Sequence, residues 1–102
     1  EMSYKLIFHP EIHNDIKETL EWYESAGSKI ALDFEAELIR CYERIANNPL
    51  SYFILHKKLK IRRALLYKFP YKLIFQVQKN KIIWIVALIH HKRKSIWKKR
   101  FR

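Results

Sequence analysis

The chain has 102 residues, and its single glycine and single cysteine exclude a glycine-rich nucleotide loop, an internal disulfide and a multi-cysteine metal site. The net charge is +11, and the charged residues are unevenly distributed along the chain. Residues 1–50 carry ten acids and five bases, whereas residues 51–102 carry sixteen bases and no acid. The basic half must therefore face solvent ions, the acidic half, or an acidic or polyanionic partner.

The acidic half predicts one short strand followed by a helical hairpin. Tyr4 to Phe8 alternates as a strand does, and a helix is then expected to open at His9-Pro10-Glu11, because proline suits the first helical position. Apolar residues recur along this helix every three or four positions: Ile12, Ile16, Leu20 and Tyr23. Gly27 is expected to end it with a positive φ.

A second helix follows at once, so the two helices should pack antiparallel. We expect Ser28 to cap it and Asn47-Asn48-Pro49 to stop it. Its apolar stripe comprises Ala31, Phe34, Leu38, Cys41, Tyr42 and Ile45. Cys41 is therefore interpreted as a core thiol. From this stripe, Phe34, Leu38 and Ile45 should pack on Ile83, Ile85 and Leu88 of the sheet.

The basic half predicts three strands and a tail. The strands are expected over Lys60 to Leu66, Tyr71 to Gln78 and Ile82 to Ile89, with a tight turn at Lys79-Asn80. The last strand is apolar at every position, which indicates burial on both faces. The tail from His90 is basic, with Ile96, Trp97 and Phe101 as docking residues.

These elements make one α+β domain over residues 1–102, in the order β-α-α-β-β-β, with the helical hairpin packed on a small, largely antiparallel sheet. The longest apolar run has eight residues, whereas a membrane span needs about 20. The first residues do not resemble a signal peptide, and one cysteine suits a reducing compartment. We therefore expect a cytoplasmic protein with no membrane partner.

The residues able to act chemically are mainly cations, which points to anion recognition. No cofactor and no metal are expected, since the two adjacent histidines of the last strand would face opposite sides of the sheet. If the protein cleaves RNA, His90 or His91 would serve as acid or base, and Arg62, Arg63 and Lys72 would stabilise the phosphorane. These side chains could equally be structural or solvated. The residues expected to bind an acidic or polyanionic partner are Lys57, Lys58, Lys60, Tyr71, Arg93, Lys98, Lys99 and Arg100.

Three segments of the chain carry the pattern of a known family. Ile61 to Phe75 contains an arginine, hydrophobic residues and Phe-Pro-Tyr before a basic residue and a strand. Ala87 to His90 is followed by bases and Trp97, and Ala31 to Tyr52 contains a predicted helix that ends at Asn-Pro. The three segments resemble the central motif, the last strand with its tail, and the second helix of RelE/ParE superfamily toxins, in particular of the ParE-like, plasmid-stabilisation branch. The resemblance implies the RelE/ParE-like fold and a type II toxin neutralised by a cognate acidic antitoxin.

The resemblance leaves the target open between two activities. ParE-like members bind and poison DNA gyrase, whereas RelE-like members cleave ribosome-bound mRNA without a metal. Lys72 stands where many relatives carry arginine, and His90-His91 lies near the position where one nuclease branch has histidine and tyrosine. We expect gyrase binding. The alternatives are a ribosome-dependent endoribonuclease and a basic nucleic-acid-binding module with no toxin role.

Overall fold

The computed structural model describes residues 4–93 and 97–101 and contains two helices on one five-stranded sheet. The elements are β1 (Lys5–Phe8), α1 (Ile12–Ala26), α2 (Ser28–Asn47), β2 (Phe53–His56), β3 (Ile61–Leu65), β4 (Tyr71–Gln78) and β5 (Ile82–His90). Short 3₁₀ turns cover Pro49–Ser51 and Trp97–Phe101, and we call the latter the C-terminal turn. The sheet order is β1-β5-β4-β3-β2, with β1 parallel to β5 and every other pair antiparallel. The predicted α+β class is confirmed.

The helical hairpin forms as predicted, with two differences at its helix starts. Helix α1 begins at Ile12, after a turn in which Nδ1 of His9 accepts a hydrogen bond from the Glu11 N–H at 3.0 Å. Gly27 adopts a φ of +146°, a conformation that side-chain-bearing residues rarely adopt, and its N–H bonds to the carbonyls of Tyr23 and Glu24. Gly27 also takes the cap position of α2, so the predicted capping role of Ser28 is wrong.

The main core lies between the hairpin and one face of the sheet, which we call the helix face. Phe34, Cys41 and Ile45 are completely buried there, and Leu38 is 4% exposed. They belong to one cluster with Ile83, Ile85 and Leu88 of β5, as the sequence predicted. Since each fully buried large side chain contributes about 1.5–3 kcal/mol, this cluster fixes the hairpin on the sheet.

The opposite face of the sheet, which we call the second face, is also apolar and is covered by the C-terminal turn. Ile74, Val86 and Ile89 are buried there beneath Trp97, which is 5% exposed, with Phe101 packed against the same cluster. Burial of β5 on both faces and docking of Trp97 and Phe101 are therefore confirmed. Ile96, the third expected docking residue, lies outside the described residues.

Strand β2 was not predicted. It has four residues, of which Phe53, Ile54 and His56 are exposed, so no alternation between buried and exposed positions marks it in the sequence. It exists because it pairs with β3, with an irregular register between Ile54 and His56. The predicted strand from Lys60 to Leu66 is correspondingly shorter: Lys60 has a φ of +60° and lies in the turn between β2 and β3.

The turn between β4 and β5 is longer by one residue than the sequence suggested, because both Asn80 and Lys81 have positive φ.

Within the described residues, no helix is both long enough and apolar enough to cross a membrane.

Candidate functional site

The two arginines expected to stabilise a phosphorane lie on opposite faces of the sheet. Residues of β3 alternate: Ala64 belongs to the helix-face core, whereas Ile61 belongs to the second face. Arg62 therefore lies on the helix face and Arg63 on the second face. The sheet separates their guanidinium groups.

Arg62 is engaged by the backbone of the connection between α2 and β2. Its Nη1 donates to the carbonyl of Tyr52 at 2.7 Å and to that of Leu50 at 3.2 Å. Its Nε is buried without a hydrogen-bond partner among the described residues. The side chain therefore holds the start of β2 in place.

Arg63 and Lys72 share the second face. The guanidinium of Arg63 stacks 4.5 Å from the ring centroid of Phe53, its partner on β2. Lys72 precedes Ile74, a second-face residue of β4, by two positions and pairs with Leu65 and Ile89. These two cations flank the apolar region that the C-terminal turn covers.

The two histidines lie at the end of β5, next to Tyr71. The rings of His90 and Tyr71 meet edge to face with centroids 5.0 Å apart, and Nδ1 of His90 accepts a hydrogen bond from the Lys92 N–H at 3.0 Å. Neutral His90 thus carries its proton on Nε2. Nε2 of His91 lies 3.2 Å from the carbonyl of Tyr71. Arg62 is farther away, because it pairs with Phe75, which lies four residues, or about 13 Å, from Tyr71 along β4.

Only part of the expected nuclease constellation is therefore brought together. His90, His91, Tyr71 and the exposed Arg93 gather at one end of the sheet. Lys72 lies on the second face of the sheet, and Arg62 lies about 13 Å from Tyr71, measured along β4.

Five of the lysines expected to bind a partner lie in two exposed elements that border one cleft on the second face. Lys57, Lys58 and Lys60 lie in the exposed turn between β2 and β3, and Lys98 and Lys99 are exposed on the C-terminal turn. The two elements line one cleft of about 280 Å³, formed by His56, Leu59, Trp97, Lys98 and Phe101. We call these five lysines the lysine patch. Two lysine-bearing elements that are some 40 positions apart in the sequence thus meet at one aromatic cleft.

Arg100, which was expected to contact a partner, is instead directed inward. Its Nη1 and Nη2 donate to the two carboxylate oxygens of Asp15 at 2.7 and 3.0 Å, and its side chain is 10% exposed. These hydrogen bonds raise the pKa of Arg100, so it is charged at any working pH. The ion pair fastens the C-terminal turn to α1.

A buried carboxylate that the sequence analysis missed organises the turn between β3 and β4. Glu37 is 3% exposed; its Oε2 accepts from Arg44 at 2.6 Å and from the Tyr67 N–H at 2.7 Å. Burial opposes ionisation of Glu37, but these hydrogen bonds prevail and lower its pKa. Arg44 also stacks 3.8 Å from the centroid of the Tyr67 ring. Glu37 and Arg44 are seven residues apart on α2, and this spacing was the signal in the sequence that could have predicted their ion pair.

The remaining candidates for chemistry are structural. Burial raises the pKa of Cys41 to about 11, so the thiol is not a nucleophile at neutral pH, as the interpretation of a core residue required. Among residues 4–93 and 97–101, no three His, Cys, Asp or Glu side chains are grouped as metal ligands would be.

Residues 6–95 match the sequence profile of a family described as the ParE toxin of the type II toxin–antitoxin system parDE. The chain belongs to this toxin family. The match spans both helices and all of the sheet apart from the first residue of β1, and it confirms the RelE/ParE assignment that the motifs suggested. No curated protein gives a significant sequence match.

Solved structures show the same fold at low sequence identity. A chain of the chromosomal ParDE toxin–antitoxin system from P. aeruginosa aligns with a TM-score of 0.73 and 16% identity, covering 86% of this toxin and 96% of that chain. An arginine-to-alanine double mutant of the E. coli toxin RelE in the free state aligns with a TM-score of 0.64 and 14% identity, covering 98% of this toxin and 96% of that chain. Isolated E. coli RelE aligns with a TM-score of 0.56 and 14% identity, covering 97% of this toxin and 96% of that chain.

Proposed function

We propose that this toxin acts by binding DNA gyrase and not by cleaving RNA. The observation that carries this proposal is the separation of Arg62 from Arg63 and Lys72 by the sheet. Metal-independent RNA cleavage needs a base, an acid and cations converging on one phosphate, within hydrogen-bond distance of the reacting atoms.

The binding surface that we propose is the lysine patch. Lys98 lines the cleft with Trp97, Phe101 and Leu59, and the other four lysines are sequence neighbours of its lining residues. An acidic protein surface could therefore place an apolar side chain in the cleft beside these charges. Such a surface accelerates association with a negatively charged partner, and more so at low ionic strength.

We further propose that a cognate acidic antitoxin neutralises the toxin in the cytoplasm by contacting the same basic half. Residues 51–102 contain no acid, so an acidic segment that folds on binding meets no like charge there. Association should slow between low and physiological ionic strength. An association rate independent of ionic strength would contradict the electrostatic part of this proposal.

Gyrase supercoiling assays with matched lysine variants test the proposed target. Lys98→Ala/Lys99→Ala should weaken inhibition about tenfold or more, because each rim charge typically changes association and affinity modestly and the two act together. Lys17→Ala/Lys79→Ala, which removes two exposed charges elsewhere, should match the unaltered toxin. Deleting the tail is a poor test, since it also removes the buried Trp97. Failure of the unaltered toxin to inhibit gyrase would exclude the proposed target.

The alternative, ribosome-dependent mRNA cleavage, has one observation in its favour. His90, His91 and Arg93 lie together at the end of β5, where a base and a cation could reach one phosphate. The third hypothesis, a nucleic-acid-binding module with no toxin role, has no observation in its favour once the family is known.

A further inference from the structure

Strand β1 covers only the first half of one edge of β5. Strand β1 pairs with β5 only from Ile82 to Ile85, where Phe8 is the last partner and the His9 N–H donates to the Ile85 carbonyl at 2.9 Å. In the part of the chain that the structure describes, no strand continues this pairing along Val86 to His90. Backbone groups on this side of β5 therefore need other partners.

Two side chains from distant elements provide those partners. Oδ2 of Asp15 accepts a hydrogen bond from the Leu88 N–H at 3.0 Å, and Nη1 of Arg100 donates to the Val86 carbonyl at 2.9 Å. The same two side chains are joined to each other at 2.7 Å and are only 13% and 10% exposed. Together they supply one acceptor and one donor, as the backbone of a neighbouring strand would.

The strand that they cover is strongly prone to pair with itself. Ile82 to Ile89 contains no charge, no proline and no glycine, and it is rich in β-branched residues. Segments of this composition with an unpaired edge are the usual starting points for edge-to-edge association.

A groove lies beside the ion pair, along the part of β5 that β1 does not cover. The groove, of about 210 Å³, lies between α1, through Glu18 and Trp22, and the end of β5. Leu88 and Ile89 border this groove, yet as whole residues they are only 5% and 2% exposed, so little of this edge is open while the ion pair is in place.

We propose that the Asp15–Arg100 ion pair blocks this edge of β5 against pairing with the same edge of a second copy of the chain. Two β5 edges can meet antiparallel about a twofold axis, which makes the contact self-complementary and closed. Removing the ion pair exposes the Leu88 N–H and the Val86 carbonyl and so opens the edge. We favour a second copy of the chain as the partner because its own β5 is equally apolar.

The test is the oligomeric state of Asp15→Ala/Arg100→Ala, measured by light scattering over a range of concentrations. We expect the apparent mass to rise from one chain towards two as the concentration increases. The unaltered protein should remain a monomer, as should Lys29→Ala/Asp33→Ala, which removes an exposed ion pair from α2. A folded double variant that stays monomeric at every concentration would overturn the proposal.

Amide hydrogen exchange shows whether any dimer uses the proposed edge. In the dilute double variant, the Leu88 amide should exchange about tenfold faster than in the unaltered protein, because its hydrogen bond is lost. Protection should return as the dimer forms. A dimer in which the Leu88 amide remains unprotected would use another surface, and this result would contradict the inference.

Single variants keep the test decisive if the double variant does not fold. Arg100→Ala exposes only the Val86 carbonyl and should dimerise at higher concentrations than the double variant. Asp15→Asn retains an oxygen to accept the Leu88 N–H and should remain a monomer. Dimerisation of Asp15→Asn but not of Arg100→Ala would contradict the proposed role of the two groups.

Discussion

Arg62 and Arg63 are neighbours in the chain, yet one supports the backbone on the helix face while the other stacks on Phe53 on the second face. The two arginines therefore have different tasks, and mutations should separate them. This relationship matters for function because a phosphate cannot be held by both side chains at once.

Arg62→Ala should lower the free energy of unfolding by about 1.5–3 kcal/mol, because two backbone carbonyls lose a charged donor. Arg63→Ala should cost less than about 1 kcal/mol, since a partly exposed cation–π contact is weak. Urea denaturation of both variants measures the difference. Equal losses of stability would contradict the assignment of the two faces.

Phe34→Ala should destabilise the protein by about 3–5 kcal/mol, because it empties the centre of the helix-face core. The ring of Phe34 lies within 6 Å, centroid to centroid, of those of Tyr23, Phe69 and Tyr71. Leu32→Ala is the matched control, since Leu32 is 64% exposed on the same helix, and it should change stability by about 0.5 kcal/mol or less. Thermal unfolding of the two variants checks the packing of α2 on the sheet.

Glu37→Gln should reduce the loss of stability in acid. The pKa of Glu37 in the folded protein lies below its usual value of 4.5, so the folded state favours the ionised form. Its contribution to stability is complete above the usual value and is lost as the pH falls through the lowered pKa. The unaltered protein should therefore lose more stability on acidification than the Gln variant. Denaturant unfolding at several pH values measures this, and Glu35→Gln, an exposed change on α2, should follow the unaltered protein.

His90→Ala/His91→Ala decides between the two proposed activities. If the toxin binds gyrase, the double variant should retain most of its toxicity, because the lysine patch is untouched. If it cleaves mRNA, the cleavage rate should fall by about 10²–10⁴-fold, the usual contribution of one acid–base catalyst. Supercoiling and ribosome-dependent cleavage should be measured on one preparation. Cleavage that disappears in the double variant would favour the nuclease over our proposal.

The elements predicted correctly are those whose apolar residues are periodic or continuous along the sequence. The apolar positions of α1 and α2 recur every three or four residues, Tyr71 to Gln78 largely alternates, and Ile82 to Ile89 is apolar throughout, so each element carries its own signal. Strand β2 carries no such signal, because three of its four residues are exposed and it is stabilised by pairing with β3. The family motif around Phe69-Pro70-Tyr71 could likewise be identified from the sequence, since it lies in one continuous segment.

Local periodicity and composition were enough to predict the helical hairpin, the apolar last strand and the excess of positive charge after residue 50. They could not predict which charged side chains are exposed. Lys98 and Lys99 face solvent, whereas Arg100, next to them, is buried against Asp15. Asp15 and Arg100 are 85 residues apart, and only the folding of α1 and the C-terminal turn onto the same edge of β5 brings the two charges together.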